Sequence, residues 1–332
     1  MNPTVPMYGR REARLRDGQQ SAAYGGETYY ERPALKPSHY GWLITSYLFV
    51  GGVAGASQII AAIADMFGGA DDRGVVRGGR YLALLGALLS PVFLIRDLHT
   101  PKRFYNMMRI FRPTSPMSIG SWTLAAFGTF SGLAAAGQLL HDLTGSALAR
   151  WLARLAGVPA AGAGVLMSCY TGSLLSATSV PLWSSVWRLL PPLFGSSAMS
   201  TGSAATSLAL QATGASEQTH VSMERIALAA SAAELALTLA CDRKWSASKL
   251  DEPLKSDPKL ATAYRVGVLG FGVLMPLAIH ALHVLTGKRW AWLSHLADAS
   301  ALAGGFTQRA VLTFAGNRSA ERPRDYFRIT QP

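Results

Sequence analysis

The sequence predicts an all-helical integral membrane protein with eight transmembrane helices. Of its 332 residues, 49% are hydrophobic and 15% are charged, whereas a soluble domain carries about 25% charged residues. Eight apolar runs are each close to the ~20 residues that a helix needs to cross the hydrocarbon core. After residue 38, the longest polar stretch is the loop at 243–259, which is too short to form a soluble domain.

The predicted spans follow one another with short connections. They cover about residues 41–66, 79–96, 118–141, 159–181, 192–213, 222–241, 262–285 and 291–316. The fifth span is the most polar, because Ser and Thr recur between residues 196 and 207. Small residues allow close helix packing in lipid, so we expect an interior helix there. The pairs Gly51-Gly52 and Gly304-Gly305 are predicted to be packing notches for the same reason.

Two polar tails flank these spans. Residues 1–38 are rich in Arg and Tyr and lack the apolar core of a signal peptide. This segment is either a disordered tail or an arm that orders against a partner subunit. Residues 317–332 form a short polar C-terminal tail.

The distribution of charge predicts the orientation in the membrane. An even number of spans places both termini and the loop at 97–117 on one side. Most of the 31 Lys and Arg residues lie on that side, so the positive-inside rule predicts that it is cytoplasmic.

The net charge of +12 does not indicate nucleic-acid binding, because the basic residues lie in loops between apolar runs. The 2 Cys residues are too few for a disulfide framework, a four-Cys iron–sulfur site or a Cys-rich zinc site. The sequence therefore gives no prediction of a metal site.

Three ionisable residues inside predicted spans suggest a proton path. Glu234 and Arg309 both lie about 10 Å below the same membrane surface, at a rise of 1.5 Å per residue. Their equal depth and opposite charge predict a buried pair. Asp298 lies near the opposite surface, where it could begin an aqueous path. Such residues are functional candidates by default, although an ion pair that only locks two helices is the alternative.

A second set of polar residues suggests a quinone pocket. Tyr47, Asp97 and Trp122 fall near one end of the first three spans, and Tyr170 falls near the middle of the fourth. Short loops make these four helices neighbours. An apolar pocket with a few polar groups suits a quinone, and Asp or Tyr could move its protons. The alternatives are an interfacial aromatic belt for Tyr47 and Trp122, and a bond to a neighbouring helix for Tyr170.

The loop after the second span carries a motif of a known family. It contains Asp97-Leu98, Pro101-Lys102-Arg103-Phe104, Asn106-Met107, Arg109, Pro113, Ser115-Pro116-Met117-Ser118 and Gly120-Ser121-Trp122. This segment resembles the polysulfide reductase membrane-subunit family of the NrfD/PsrC type. Further matching pieces occur in order along the chain: residues 47–55, Tyr170-Thr171-Gly172, Glu234, Gly304-Gly305 with Arg309, and Asp325-Tyr326-Phe327-Arg328.

The resemblance implies an architecture and a set of partners. It implies two four-helix bundles, at 39–190 and 191–316, with a menaquinone or ubiquinone site in the first bundle. It also implies no prosthetic group on this chain, an iron–sulfur ferredoxin-like partner subunit that is often joined by a molybdenum catalytic subunit, and a place in the bacterial cytoplasmic membrane. Tyr170 matches a family tyrosine that holds the quinone head group. Tyr47 stands where some members have His, and His99 stands where many have Gly.

These observations assign hypothetical roles to individual residues. Tyr170 and Asp97 would act on the quinone. The head group would also be bound by Tyr47, Trp122 and Arg109. The partner subunit would dock on His99, Arg103 and Phe104. Glu234, Arg309 and Asp298 would form the proton path.

Three other functions stay open at this point. A secondary transporter also needs buried charges and Gly-broken helices. A dihaem anchor could use histidines near one surface, namely His141, His280, His283 and His295. A purely structural anchor would hold a partner at the membrane without binding quinone.

Overall fold

The computed structural model describes residues 35–211 and 216–330, and within those residues the protein is helical, with no strand. The predicted N-terminal tail thus lies almost wholly outside the described residues. Eight long helices occur in the described part of the chain. They are α1 (Trp42–Phe67), α2 (Arg73–Arg96), α3 (Pro116–Thr144), α4 (Ala147–Ser176), α5 (Leu190–Gln211), α6 (Glu217–Ala247), α7 (Pro258–Thr286) and α8 (Ala291–Glu321).

Five of these helices are long and apolar enough to cross a membrane: α1, α2, α3, α4 and α7. The chain is therefore an all-helical, multi-pass membrane protein. The α4 helix begins at Ala147, well before the predicted span at 159. Its first turns carry Arg150 and Arg154, and Pro159 lies inside the helix. The α5, α6 and α8 helices are less apolar because polar or charged residues interrupt them.

The α5 helix is an interior helix, as the sequence predicted. It packs on α1, α4, α6 and α8. Its hydroxyl groups donate to carbonyl oxygens of the same helix: Thr201 Oγ1 lies 2.8 Å from the Ser197 oxygen, and Thr206 Oγ1 lies 2.8 Å from the Gly202 oxygen. These bonds satisfy the hydroxyls inside a protein interior where water is scarce.

The predicted glycine notches are confirmed. A Cβ on Gly304 would lie 1.9 Å from the Gly272 Cα of α7, and one on Gly305 would lie 2.4 Å from Thr201 Cγ2 of α5. A Cβ on Gly51 would lie 2.8 Å from Met167 Cε of α4. The absence of side chains at these points allows the helices to approach closely.

Two local structures have no clear signal in the sequence. The α7 helix contains a π-helical stretch, Ala263–Leu274, and the loop after α2 contains a 3₁₀ helix, Pro101–Met108. A short helix, Pro181–Ser184, joins the two halves of the chain. It is held there by the Trp183 indole, which donates to the Leu312 carbonyl at 2.8 Å, and by Trp245, which donates to the Leu182 carbonyl at 2.8 Å.

Candidate functional site

The centre of the candidate site is Tyr170, near the end of α4. Its side chain is buried, and its hydroxyl donates to the carbonyl of Pro116 in the first turn of α3. The ring lies directly over Gly120, where a Cβ would come within 2.3 Å of the phenol oxygen. Gly120 therefore makes room for Tyr170 between α3 and α4. Tyr170 therefore makes the hydrogen bond to a neighbouring helix that the sequence analysis gave as the alternative to a quinone-binding role.

Two further tyrosines lie close to Tyr170. Tyr47 is buried in the second turn of α1, and both Tyr47 and Tyr40 interact electrostatically with the Tyr170 phenol. Tyr40 precedes α1, stacks on Trp183 with ring centroids 6.2 Å apart, and accepts a hydrogen bond at its carbonyl from Asn317 of α8. We call Tyr40, Tyr47 and Tyr170 the tyrosine cluster.

Asp97 lies beside this cluster at the C-terminal end of α2. It is half-buried and interacts electrostatically with Tyr40, His39 and His99. Burial raises the pKa of the Asp97 carboxyl above its ordinary value, and the two histidines oppose that shift. Burial and the Asp97 charge likewise raise the pKa of Tyr40. The rings of His39 and His99 meet edge to face, with centroids 5.7 Å apart. Of the predicted residues, Tyr47 and Tyr170 therefore interact with each other, and Asp97 reaches them through Tyr40.

Trp122 and Arg109 lie apart from the tyrosine cluster. Trp122 follows Gly120 by two positions, which turns it about 200° around the helix and away from Tyr170. Its ring is 39% exposed and packs edge to face on Phe111, with centroids 6.2 Å apart. Arg109 lines an open cleft of 450 Å³ on an adjoining face of α3, together with Met107, Ser121 and other residues. Trp122 therefore has the outward placement of an interfacial aromatic residue.

The 3₁₀ helix forms an exposed surface next to the site. None of its residues is buried; Phe104 is 44% exposed and Tyr105 is 56% exposed. Ile110 and Phe111 continue this apolar surface at 61% and 55% exposure, and His99, Arg103 and Arg109 are also exposed. Aromatic and Arg side chains on one exposed segment are typical of a protein interface.

Glu234 and Arg309 lie together in the interior, as predicted, but other side chains connect them. Gln308 donates to Glu234 Oε1 at 2.9 Å, and Arg309 Nη1 donates to Gln308 Oε1 at 2.8 Å. Ser197 of α5 hydrogen-bonds to both Glu234 and Arg309. The Arg309 guanidinium also lies 4.8 Å from the centre of the Phe194 ring. We call Glu234, Gln308, Arg309 and Ser197 the Glu234 network.

Asp298 lies nearer the other end of α8, as predicted. It is buried, hydrogen-bonds to Ser207 of α5, and has one carboxylate oxygen, Oδ2, without a partner. It interacts electrostatically with Glu224 of α6. Thr219 of α6 donates to the carbonyl of Asp71, between α1 and α2, at 3.2 Å. This contact places the start of α6 at the end of the molecule opposite the tyrosine cluster.

Several residues that the structure places at these sites carried no prediction. His39 and Tyr40 lie between the predicted tail, which ends at residue 38, and the first predicted span, which begins at about residue 41. Gln308 carried no prediction because it is uncharged and lies next to Arg309 in the sequence. Glu224 lies near the start of the sixth predicted span, where no role was predicted for it. Its contacts with α7 and α8 depend on helix packing, which a single sequence does not reveal.

A comparison with protein families agrees with this structure. The family model for polysulphide reductase, NrfD, matches residues 33–319, which include α1 to α7 and all of α8 except its last two residues. No curated protein matches the chain. The family match confirms the resemblance of the loop after α2. The chain therefore belongs to the polysulphide reductase NrfD family, whose members are membrane subunits of quinone-linked oxidoreductase complexes.

Proposed function

We propose that this chain passes electrons between an iron–sulfur partner subunit and the membrane quinone pool. The observation that carries the proposal is the position of the tyrosine cluster and Asp97. They lie behind the exposed 3₁₀ helix, at one end of helices that are apolar along most of their length. A partner that docks on this surface would place its cluster close to a quinone head group.

The donor set beside α1 and α4 fits a quinone. When bound, a quinone supplies two carbonyl oxygens that accept two electrons and two protons. The phenols of Tyr47 and Tyr170 can donate hydrogen bonds to such oxygens. Tyr170 would then exchange its bond to the Pro116 carbonyl for one to the ligand. Asp97 can accept or release a proton near His39 and His99, which connect it to the exposed surface.

We assign partner docking to the 3₁₀ helix and its flanks. NrfD-family subunits work in complexes with iron–sulfur and molybdenum subunits, so the partner of this surface would be a ferredoxin-like iron–sulfur subunit. Phe104 would supply an apolar anchor, and Arg103 and His99 would supply polar contacts. Arg109 would line the cleft between this surface and α3.

The proposal also includes the membrane arrangement. All eight long helices would span the membrane in two four-helix bundles, α1–α4 and α5–α8. Glu234 of α6 and Asp298 and Arg309 of α8 would face protein and not lipid, which their burial supports. The excess of basic residues favours a cytoplasmic position for the 3₁₀ helix in a bacterial cytoplasmic membrane.

We further propose that a proton route runs along α5. Ser197, Ser200, Ser203 and Ser207 are all buried and recur every three or four residues, so they share one face of the helix. Ser207 bonds to Asp298, Ser200 lies 3.1 Å from Ser231 of α6, and Ser197 bonds to Glu234. This polar face covers about 15 Å, the rise of ten residues.

The electron-transfer proposal is tested with Tyr170→Phe, measured as quinone turnover in the intact complex. Loss of the phenol should reduce turnover at least about tenfold, in the range expected of a group that takes part in proton transfer. Tyr264→Phe is a matched control, because Tyr264 is equally buried but bonds to Asp242 in the second half of the chain. Equal turnover of both variants would remove Tyr170 from the site.

The proton route has a separate test in proteoliposomes. Glu234→Gln should leave quinone turnover intact and abolish proton movement that accompanies it. Glu217→Gln replaces an exposed acid at the start of the same helix and should change neither quantity. Proton movement that survives Glu234→Gln would reduce the Glu234 network to a structural role. Transport activity without any redox partner would favour the secondary transporter.

A further inference from the structure

One glutamate and two histidines, which are residues that commonly bind metal ions, lie close together at the end of the molecule opposite the tyrosine cluster. Glu224 lies in the second turn of α6, and His280 and His283 lie in the last two turns of α7. One potential ligand atom from each residue lies within 4.8 Å of the others. The three residues are 4%, 1% and 4% exposed. The quinone and proton proposals do not use them.

We propose that Glu224, His280 and His283 bind one divalent first-row transition-metal ion, of which Zn²⁺ is the most suitable. Two imidazoles and one carboxylate are a ligand set that binds zinc in proteins, with a water molecule in the fourth position. Tetrahedral ligands at about 2.1 Å from the metal lie roughly 3.4 Å apart. The observed 4.8 Å limit is only slightly wider, so small side-chain rotations would close the site.

The lack of a hydrogen-bond partner for the buried His280 side chain is the observation that points to a ligand. Its Nδ1 atom is buried and has no hydrogen-bond partner in the described protein. A buried polar atom without a partner is costly, and such atoms call for an explanation such as an ion. A metal ion beside Glu224 and His283 would give the imidazole a partner that the polypeptide does not supply.

The surroundings of Glu224 resemble the outer shell of a metal site. Ser294 of α8 and the Nε atom of Arg289 both donate to Glu224 Oε1, the latter at 2.9 Å. The other oxygen, Oε2, lies 3.2 Å from His283 Nδ1. Outer hydrogen bonds of this kind orient a ligating carboxylate. Ser294 and Arg289 do not bond to Oε2, which lies beside His283.

A buried ion pair that only locks the helices together is the competing interpretation. Arg289 pairs with Glu224, and His283 Nδ1 lies 3.2 Å from the same carboxylate, without any metal. That network does not involve His280, however, and it leaves the buried His280 Nδ1 unsatisfied. The metal site accounts for both histidines. It would also join α6 to α7 and, through Ser294, to α8.

The test measures metal bound to the full-length protein in detergent, purified through a tag that contains no histidine. After treatment with a chelator and addition of Zn²⁺, the wild-type chain should retain one Zn²⁺ per molecule through desalting. His280→Ala and Glu224→Gln should lose that ion. Ser294→Ala should weaken the affinity about 10- to 100-fold, as outer-shell changes do. His141→Ala, at a histidine of the other half, should retain it.

Co²⁺ provides a second measurement that needs no variant. Bound to the wild-type protein at this site, Co²⁺ should give visible absorption bands of a four- or five-coordinate ion, and Zn²⁺ should abolish them. Absence of stoichiometric Zn²⁺ and of these bands would overturn the proposal. Retention of the ion in both His280→Ala and Glu224→Gln would also overturn it, because the metal would then lie elsewhere. These readouts do not depend on quinone turnover.

Discussion

The N-terminal half of the molecule, α1–α4, and the C-terminal half, α5–α8, place their charged groups differently. All four helices of the N-terminal half are apolar enough to cross a membrane, but only α7 is so in the C-terminal half. In the N-terminal half, Asp97 lies at a helix end, and buried Arg80 pairs with Asp65 beside an open cleft of 1230 Å³. In the C-terminal half, Glu234 and Arg309 lie deep between helices.

This difference shows two ways to keep polar chemistry in a membrane protein. A charged group at a helix end stays close to water and needs few protein partners. A charged group inside the bundle must find its partners in protein, because lipid offers none. The first arrangement leaves an apolar interior that suits a quinone tail. The second supplies the continuous polar contacts that proton movement needs.

The largest effect is expected when a buried charge in the C-terminal half loses its partner. Arg309→Met removes the positive charge that interacts with the buried Glu234 carboxyl and leaves it only the hydrogen bonds to Gln308 and Ser197, which should cost about 3–5 kcal/mol. Arg80→Met should cost less, because the side chain of its partner Asp65 is 16% exposed and can be solvated from the cleft. Thermal unfolding of both variants in detergent measures the difference. Equal losses would mean that the two halves do not differ in this way.

Helix packing gives the next largest effect. Gly304→Ala places a methyl group where the Gly272 Cα of α7 lies and should destabilise the protein by about 1–3 kcal/mol. Gly132→Ala in α3 meets nothing within 4 Å and should be neutral or slightly stabilising, since Ala favours helix. Unfolding midpoints of the two variants measure the contrast. A stable Gly304→Ala protein would mean that α7 and α8 can move apart.

The pH dependence of quinol oxidation should report Asp97. The carboxyl must be ionised to accept a proton, and its raised pKa delays ionisation to higher pH than in an ordinary Asp. The rate should therefore rise with pH through that raised pKa. Asp97→Asn should remove this limb of the profile, and Asp97→Glu should retain it. Asp142→Asn, at the opposite end of α3, is the control. A limb that persists in Asp97→Asn would belong to another group.

The smallest effect on stability is expected on the exposed surface. Phe104→Ser should change the free energy of unfolding by no more than about 0.5 kcal/mol, because the side chain is exposed. It should nevertheless reduce recovery of the iron–sulfur partner with the purified chain. Leu285→Ser, at the other end of the molecule and even more exposed, should leave recovery unchanged. Equal recovery with both variants would move the docking surface elsewhere.

The sequence predicted best those features that depend on the residues of a single helix. Runs of apolar residues located the helices, and small residues identified α5 as interior and Gly304 as a packing notch. Depth along a helix follows from residue spacing, so Glu234 and Arg309 could be predicted to lie together. The same reasoning could not find Gln308, because it depends on which face of α8 meets α6.

Trp122 illustrates a different limit. Its position at the start of α3 agreed with both a quinone site and an interfacial aromatic residue. Only the rotation of α3, fixed by the contact of Gly120 with Tyr170, turns Trp122 outward onto Phe111. Helix rotation depends on packing against neighbours, and a single sequence of mostly apolar residues specifies it weakly.

The sequence by itself determined the helical membrane class, the order of the long helices, the family resemblance and the residues that carry charge into the interior. Apolar length and buried charge have large, local free-energy costs, so their consequences can be read along the chain. Only the tertiary structure decided that Tyr40 joins Tyr47 and Tyr170, and that Glu224 meets His280 and His283. These groupings depend on contacts between residues distant in the chain, and helix rotation and approach set those contacts.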